Sequence, residues 1–311
     1  MRRRTLFTGL AAVGAAGTAA AVVGPMAMAD AANYYVAVTE QVQNKVMIFA
    51  RNSPWNDAHM ARSFSPGGGG WSNLSDVKFR NTTRYGAVGL VTASGGNVGV
   101  WNITDEKHQE HNDLLWSASP GGNPHAIERI PNNGSVVTAS SGGYLTLYAP
   151  GGSSMGSLAK VKTYDFAGAH GVLWDDIGKL LWAVGRNQVR AFKVTGSGRG
   201  TRLADAGRHH SLPGLGHDLQ PDYHDHTKLL ATDGRGVYQV DRATAATKQI
   251  SGTNGVKSYC RHASGDSFWA IPNWGGHSNW RTNTIGFSNG YKRTRSGAGF
   301  YKARLFKLEF H

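Results

Sequence analysis

Basic side chains recur along the chain at intervals of 40–47 residues, each at the predicted start of a short apolar strand. Imidazoles can act as general acids or bases near physiological pH, and ammonium groups can neutralise an anion. If these strands are the innermost strands of a repeated fold, their first residues form one ring around a common axis. The recurring residues are Lys78, His125, His170, His217 and Lys257.

Three further side chains extend this chemistry. Arg80 and Arg261 lie shortly after the two lysines and would help to neutralise a carboxylate, whereas Tyr259 would supply a phenolic proton. Alternation along a strand predicts that Tyr259 points the same way as Lys257. β-Elimination of a uronate needs a cation on the carboxylate, a base for the C5 proton and an acid for the leaving oxygen. The base is predicted to be His170 or His217, and the predicted catalytic set is His125, His170, His217 and Tyr259.

The three histidines have two other possible uses. Three neutral imidazoles can hold a divalent metal and leave a position open for water, although the neighbouring lysines would repel a cation. Alternatively, each histidine has a structural role, in which it hydrogen-bonds a turn and fixes the packing of one repeat. Both alternatives stay open at the level of sequence.

An irregular insertion over residues 273–300 supplies aromatic and cationic side chains. Long loops in compact domains are often functional. Trp274 and Trp280 could stack on sugar rings, and Arg281 could bind an anionic group beside them. The alternative is a loop that only seals the interface between two repeats.

The elements that would position these residues are short strands joined by Gly, Asn and Asp turns. Six hairpins are predicted, and an additional inner strand precedes five of them. A period of 40–50 residues with several strands per unit predicts an all-β protein, a β-propeller of about six four-stranded blades, with five or seven possible. The hairpins pair residues 35–39 with 45–50, 87–94 with 98–103, 135–140 with 144–148, 180–184 with 189–194, 229–233 with 237–242, and 267–272 with 303–308.

Composition agrees with a single β-rich domain over residues 30–311. The 42 glycines show no collagen period, and the single cysteine excludes an internal disulfide. The formal charge of +13 predicts an anionic partner. Nucleic acid is not expected, because lysine and arginine are spread over the repeats and the protein is predicted to be exported.

Residues 1–29 have the order of a signal peptide: Arg2 to Arg4, a weakly apolar stretch, and small residues ending at Ala29. The segment from Arg3 to Phe7 resembles the twin-arginine export motif, except that Arg2 stands where Ser or Thr is usual. An ordinary secretory signal is the alternative. We therefore predict a secreted monomer with no stable membrane insertion after cleavage.

The export signal and the blade period together resemble secreted bacterial β-propeller proteins, many of them uncharacterised. The resemblance to propeller polysaccharide lyases and hydrolases, which use channel-lining His, Arg and Tyr, is looser and matches no diagnostic catalytic motif. It implies a carbohydrate-active protein that acts on an acidic glycan by β-elimination or hydrolysis. A non-catalytic propeller that binds acidic polysaccharide, cell-wall polymer or a protein is the alternative. The predicted substrate-binding set is Lys78, Arg80, Lys257, Arg261, Trp274, Trp280 and Arg281.

Overall fold

The computed structural model describes residues 33–272 and 280–310. The predicted signal peptide and Trp274 lie outside these residues. Within them the chain forms 25 strands and four 3-10 helices of one turn each. The helices are Asp57–His59, His111–Asp113, Met155–Ser157 and Gly198–Gly200. None of the helices in the described ranges is long and apolar enough to cross a membrane.

The strands are short, as the closely spaced turn residues predict. Those of the first half are β1 (Tyr35–Glu40), β2 (Lys45–Ala50), β3 (Met60–Phe64), β4 (Leu74–Thr82), β5 (Gly86–Ala93), β6 (Val98–Asn102), β7 (His108–Gln109), β8 (Leu114–Ala118), β9 (Pro124–Arg129), β10 (Val136–Ser140), β11 (Tyr144–Pro150) and β12 (Leu158–Asp165). Those of the second half are β13 (Gly171–Asp175), β14 (Leu180–Gly185), β15 (Gln188–Thr195), β16 (Arg202–Ser211), β17 (Gly216–Pro221), β18 (Lys228–Asp233), β19 (Gly236–Asp241), β20 (Thr247–Ser251), β21 (Ser258–Arg261), β22 (Ser267–Ala270), β23 (Thr284–Phe287), β24 (Lys292–Thr294) and β25 (Phe300–Leu305).

The strands form six antiparallel blades, so the predicted six-bladed β-propeller is confirmed. Blades 2 to 6 each have four strands, and their innermost strands are β4, β9, β13, β17 and β21. In blade 1 the order is β25-β1-β2-β3, and β7 adds a short parallel strand to its outer edge. The six innermost strands contact one another in a closed ring.

Blade 1 closes the propeller with both ends of the described chain, because β25 pairs with β1. Five of the six predicted hairpins are present. The sixth is wrong: β22 pairs with β23, and residues 303–308 do not follow it in the sheet. Residues 273–300 are therefore not only a loop, since β23 and β24 lie in them and complete blade 6.

The hydrophobic core lies between adjacent blades, as expected for sheets that bury both faces against their neighbours. Valine, leucine, alanine and aromatic side chains of blades 1 and 2 form one such layer. In it Trp101 stacks on Phe64 with ring centroids 4.3 Å apart. Trp101 also covers Gly89, where an added Cβ would lie 2.1 Å from the indole ring. This packing fixes blade 1 against blade 2.

Candidate functional site

One residue at the start of each inner strand is displaced from the regular ladder. In blades 2, 3 and 5 the register shifts and leaves Ser75, His125 and His217 between paired residues. A bulge of this kind redirects a side chain at the end of a strand.

The other three blades place a residue at the same level. His170 and Lys257 donate their backbone N–H groups to Val184 and Ala270 just before β13 and β21 begin. In blade 1 the register shift in the pairing of β25 with β1 falls at Tyr301 and Lys302. We call Ser75, His125, His170, His217, Lys257 and Tyr301 the mouth ring.

Five members of the mouth ring contact each other in sequence. The rings of His125 and His170 stack with centroids 4.3 Å apart, and His170 meets His217 edge-on at 5.4 Å. Lys257 Nζ lies 3.2 Å from His217 Nε2. On the other side, the Tyr301 hydroxyl lies 3.3 Å from His125 Nδ1. The structure therefore brings the three predicted histidines and Lys257 together.

Hydrogen bonds fix the tautomers of two imidazoles. Lys257 is a donor only, so His217 Nε2 accepts and Nδ1 carries the proton. His170 Nδ1 lies 2.8 Å from the carbonyl oxygen of Gly168 and donates to it. The lone pair of His170 is therefore on Nε2.

All three imidazoles are neutral at physiological pH. Burial lowers the pKa of His170 to about 4, with the charges of Lys302 and Lys257 adding to the effect. Burial, and then the charge of Lys257, lowers the pKa of His217 to about 2. Burial and His170 hold the pKa of His125 well below its usual range. Lys257 has a pKa lowered to about 8 by burial and by Lys302, so most of it stays charged at neutral pH.

A buried ion network lies beneath the mouth ring. Lys302 crosses the axis from blade 1, and its Nζ donates to the carbonyl oxygens of His125 and His170, each at 3.3 Å. Arg304 Nη2 lies 2.6 Å from carboxylate oxygens of both Asp76 and Asp218. We call Asp76, Lys78, Asp218, Lys302 and Arg304 the axial network.

The axial network holds three cations and two carboxylates. Burial opposes ionisation of Asp76, but Arg304, Lys78 and Lys302 outweigh it and hold the pKa of this carboxyl below its usual range. Burial lowers the pKa of Lys302 in spite of the two carboxylates. With all five groups ionised, the network carries one excess positive charge.

The other end of the axis is covered by residues 306–310, which we call the C-terminal plug. Phe306 packs edge-on against Phe79 of blade 2 at 4.5 Å. Lys307 Nζ lies 4.6 Å from the ring centroid of Tyr223, next to blade 5. Phe310 lies under the Arg80 guanidinium at 4.3 Å and packs against the apolar layer between blades 3 and 4. The plug thus spans the base of the propeller.

Comparisons with known proteins agree with this architecture. The sequence profile of a family described as a family of unknown function (DUF6528) matches residues 10–306. The chain belongs to the DUF6528 family. No curated protein matches it in sequence.

Solved structures resemble this DUF6528 member at low sequence identity. A functionally unknown protein from Desulfotomaculum acetoxidans is 12% identical, with 85% of this chain and 79% of that chain covered and a TM-score of 0.53. Saccharomyces cerevisiae Sqt1 is 13% identical, with 89% and 69% covered and a TM-score of 0.47. Dihydro-heme d1 dehydrogenase NirN is 14% identical, with 89% and 57% covered and a TM-score of 0.48. The similarity to the Desulfotomaculum acetoxidans protein shows a shared fold and nothing more.

Two predicted site residues of the DUF6528 member lie below the mouth ring on β4. Lys78 is the fifth residue of β4, not its first, and its Nζ binds Asp76 at 2.7 Å within the axial network. Arg80 is at the lower end of the same strand, about 16 Å from the level of Ser75 at 3.3 Å per residue. It is buried and paired with Glu128, Nε to Oε1 at 2.9 Å.

Arg261 and Tyr259 are also turned away from the mouth ring. Arg261 ends β21 and pairs with the buried Asp222. The Tyr259 hydroxyl donates to Ser267 Oγ at 2.8 Å, and its ring stacks on Trp269. Strand alternation fails for Tyr259 because Lys257 precedes the regular ladder that begins at Ser258.

The insertion residues have a different position. Trp280 is 47% exposed. Arg281 packs against Gly299, where an added Cβ would lie 2.8 Å from its Cδ. Gly299 directly precedes β25, so Arg281 lies at the face of the propeller that carries the mouth ring.

The arrangement of the histidines does not suit a metal. The His125 and His170 planes are 13° apart and stacked, so their lone pairs do not converge on one point. Among the residues that the structure describes, no group of three or more His, Cys, Asp or Glu side chains is arranged to hold a metal ion.

Proposed function

We propose that the mouth ring binds the carboxylate of an acidic, uronate-containing glycan, and that the protein is a secreted carbohydrate-binding or carbohydrate-active propeller. The observation that carries this proposal is the contact between Lys257 and a neutral imidazole, His217, at 3.2 Å. None of the six mouth-ring residues is acidic, and Lys302 adds a positive charge from below. The predicted export signal would bring the protein to extracellular acidic polymers.

A carboxylate suits this environment because it would neutralise the positive charge that Lys257 and Lys302 carry at the mouth. Bound next to Lys257, it would favour the ammonium form and raise the pKa values of the neighbouring imidazoles. Lys257 and His170 are partly buried and lie on the open side of the network. The cost of holding these positive charges close together would then decrease on binding.

β-Elimination is the catalytic form of the proposal, and one observation favours it over hydrolysis. Glycoside hydrolysis generally uses two carboxylates, whereas the mouth ring has none. His170 is oriented by Gly168 and has its lone pair on Nε2, as a base requires. In this step His170 Nε2 takes the C5 proton, the C4–O bond breaks as the C4–C5 double bond forms, and the His170 imidazolium returns the proton to the leaving oxygen.

The binding proposal can be tested with charge-matched ligands. We expect oligogalacturonate to bind and its fully methyl-esterified form to bind at least about tenfold more weakly, because esterification removes the charge. Lys257→Met should cause a similar loss, whereas Lys193→Met, at an exposed position on β15, should not. Equal affinity for both ligands by calorimetry would contradict the proposal.

The catalytic form has a separate readout. Elimination produces an unsaturated uronate, whose ultraviolet absorbance rises with time across a panel of acidic glycans. We expect His170→Gln to abolish this rise while retaining ligand binding. Binding without any rise would leave the non-catalytic form of the proposal and refute the catalytic one.

A further inference from the structure

A cavity lies between blades 2 and 3, on the side of the propeller opposite the mouth ring. Its volume is about 160 Å³. The turn after β4, the end of β9 and the loop between β11 and β12 surround it. The polar residues that line it are Arg84, Tyr85, Arg129, Asn133, Ser153 and Ser154.

Arg129 is partly buried and differs from the fully buried arginines of the propeller. Arg80 and Arg304 each hold a carboxylate. Arg129 Nε is buried without a hydrogen-bond partner, and no ion pair involves Arg129 within residues 33–272 and 280–310. The adjacent Glu128 turns to the other side of its strand and pairs with Arg80.

The charge of Arg129 is therefore balanced by no carboxylate. Burial lowers its pKa, while Glu128 and Tyr85 oppose this effect. A guanidinium nevertheless stays protonated at neutral pH. Leaving the buried Nε of this cation without a partner is costly, and an anion would remove that cost.

The rest of the cavity adds a second cation and hydroxyl groups. Arg84 Nη1 donates to Ser153 Oγ at 2.6 Å. The Tyr85 hydroxyl accepts the Met155 N–H at 2.7 Å. These two contacts hold the loop of blade 3 against blade 2. No acidic residue lines it.

We propose that this cavity binds a tetrahedral oxyanion, the phosphate or sulfate group of a small molecule or a sugar ester. Guanidinium groups present planar pairs of N–H donors that match such oxyanions, and serine hydroxyls can donate to the remaining oxygens. The occupant would complete the ion pair that Arg129 lacks. This site is independent of the mouth ring, because the axial network separates the two.

Calorimetry at constant ionic strength tests the proposal with inorganic phosphate, inorganic sulfate and glucose 6-phosphate. We expect one oxyanion per chain and at least about a tenfold loss of affinity in Arg129→Gln. Arg84→Gln should weaken binding severalfold. Arg235→Gln, which removes an exposed arginine on blade 5, and Lys257→Met should leave the affinity unchanged. Binding of the free ions alone, or of the sugar ester as well, identifies the source of the oxyanion.

Two results would overturn the proposal. One is the absence of binding or of thermal stabilisation by all three probes. The other is binding that survives Arg129→Gln but is lost in Lys257→Met, which would assign the anion to the mouth ring. If Arg129→Gln does not fold, Arg129→Lys keeps the charge but loses the paired donors, and we expect it to bind at least about fivefold more weakly.

Discussion

The two ends of the propeller axis are built from equally basic residues but balance their charges differently. At the base, Arg80 and Arg261 are paired with Glu128 and Asp222, and Phe310 of the C-terminal plug covers Arg80. At the mouth, the Lys257 ammonium makes one hydrogen bond to the described part of the chain, and its partner is the neutral imidazole of His217. On the axis the base is a closed structural element, whereas the mouth is the end that an anion would complete; the cavity beside Arg129 lies off the axis, between blades 2 and 3.

This difference separates stability from binding. Buried pairs contribute little net stability compared with an apolar core, but removing one partner leaves an uncompensated charge. Substitutions in the axial network should therefore change folding most. Substitutions in the mouth ring should change protonation and ligand affinity with less effect on folding.

The largest effect is expected from Arg304→Gln. Asp76 and Asp218 would then lie close together at the axis without the guanidinium that holds both of them. We expect the free energy of unfolding to decrease by about 3–5 kcal/mol. Urea denaturation followed by tryptophan fluorescence measures this change.

An exposed ion pair provides the control for Arg304→Gln. Arg190 pairs with Asp205, with side chains 36% and 47% exposed. Arg190→Gln should cost less than about 1 kcal/mol. Equal losses in the two variants would mean that Asp76 and Asp218, left without Arg304, pay no penalty for being buried.

The sequence predicts the repeat better than the register within it. Five hairpins and the grouping of three histidines follow from turn residues and period. Aligning Lys78 with the histidines misses Ser75, the ring residue of blade 2. The pair Ser75-Asp76 matches His217-Asp218, since both aspartates bind Arg304. With Ser75 and Tyr301 included, the ring positions recur every 40–50 residues.

The remaining errors have a common physical cause. The carboxylates that neutralise Arg80 and Arg261 come from other blades, 48 and 39 residues away, so spacing within one repeat cannot show them. Protonation also depends on burial between blades. Sequence reasoning expects imidazoles that titrate near physiological pH, but burial, and after it the charges of Lys302 and Lys257, lowers the pKa values of His170 and His217.

The second prediction concerns the stability of the protein at acidic pH. The pKa of His170 is about 4 in the folded chain and about 6.5 in the unfolded chain, so only the unfolded chain takes up a proton between these values. Neutral His170 therefore costs the folded protein no stability above pH 6.5, and the free energy of unfolding decreases as the pH falls from 6.5 toward 4. The slope is up to about 1.4 kcal/mol per pH unit for each such imidazole.

Urea unfolding from pH 7 to 4.5 measures this slope. We expect a shallower slope in His170→Gln by about the contribution of one imidazole. His209→Gln is the control, since this histidine is exposed on β16. A slope that His170→Gln does not change would mean that the mouth imidazoles are already charged in the folded protein.

A smaller effect is expected at the base. Phe306→Ala removes a half-buried ring that packs on Phe79 at 4.5 Å. We expect the free energy of unfolding to decrease by about 1–2 kcal/mol, with glycan affinity at the mouth unchanged. Leu215→Ala, at a side chain that is 58% exposed, should change stability by less than about 0.5 kcal/mol. Loss of glycan binding in Phe306→Ala would show that the two ends are coupled.

The smallest effect tests the charge at the mouth directly. Lys257→Met removes an ammonium 3.2 Å from His217 Nε2. The pKa of His217 should rise from about 2, but it should stay below 6.5 because burial is the larger cause of its shift. Titration of the imidazole by NMR measures this, with Lys193→Met as the control. If the pKa of His217 does not move, Lys257 is neutral or screened at the mouth, and the contrast between an unbalanced mouth and a balanced base does not hold.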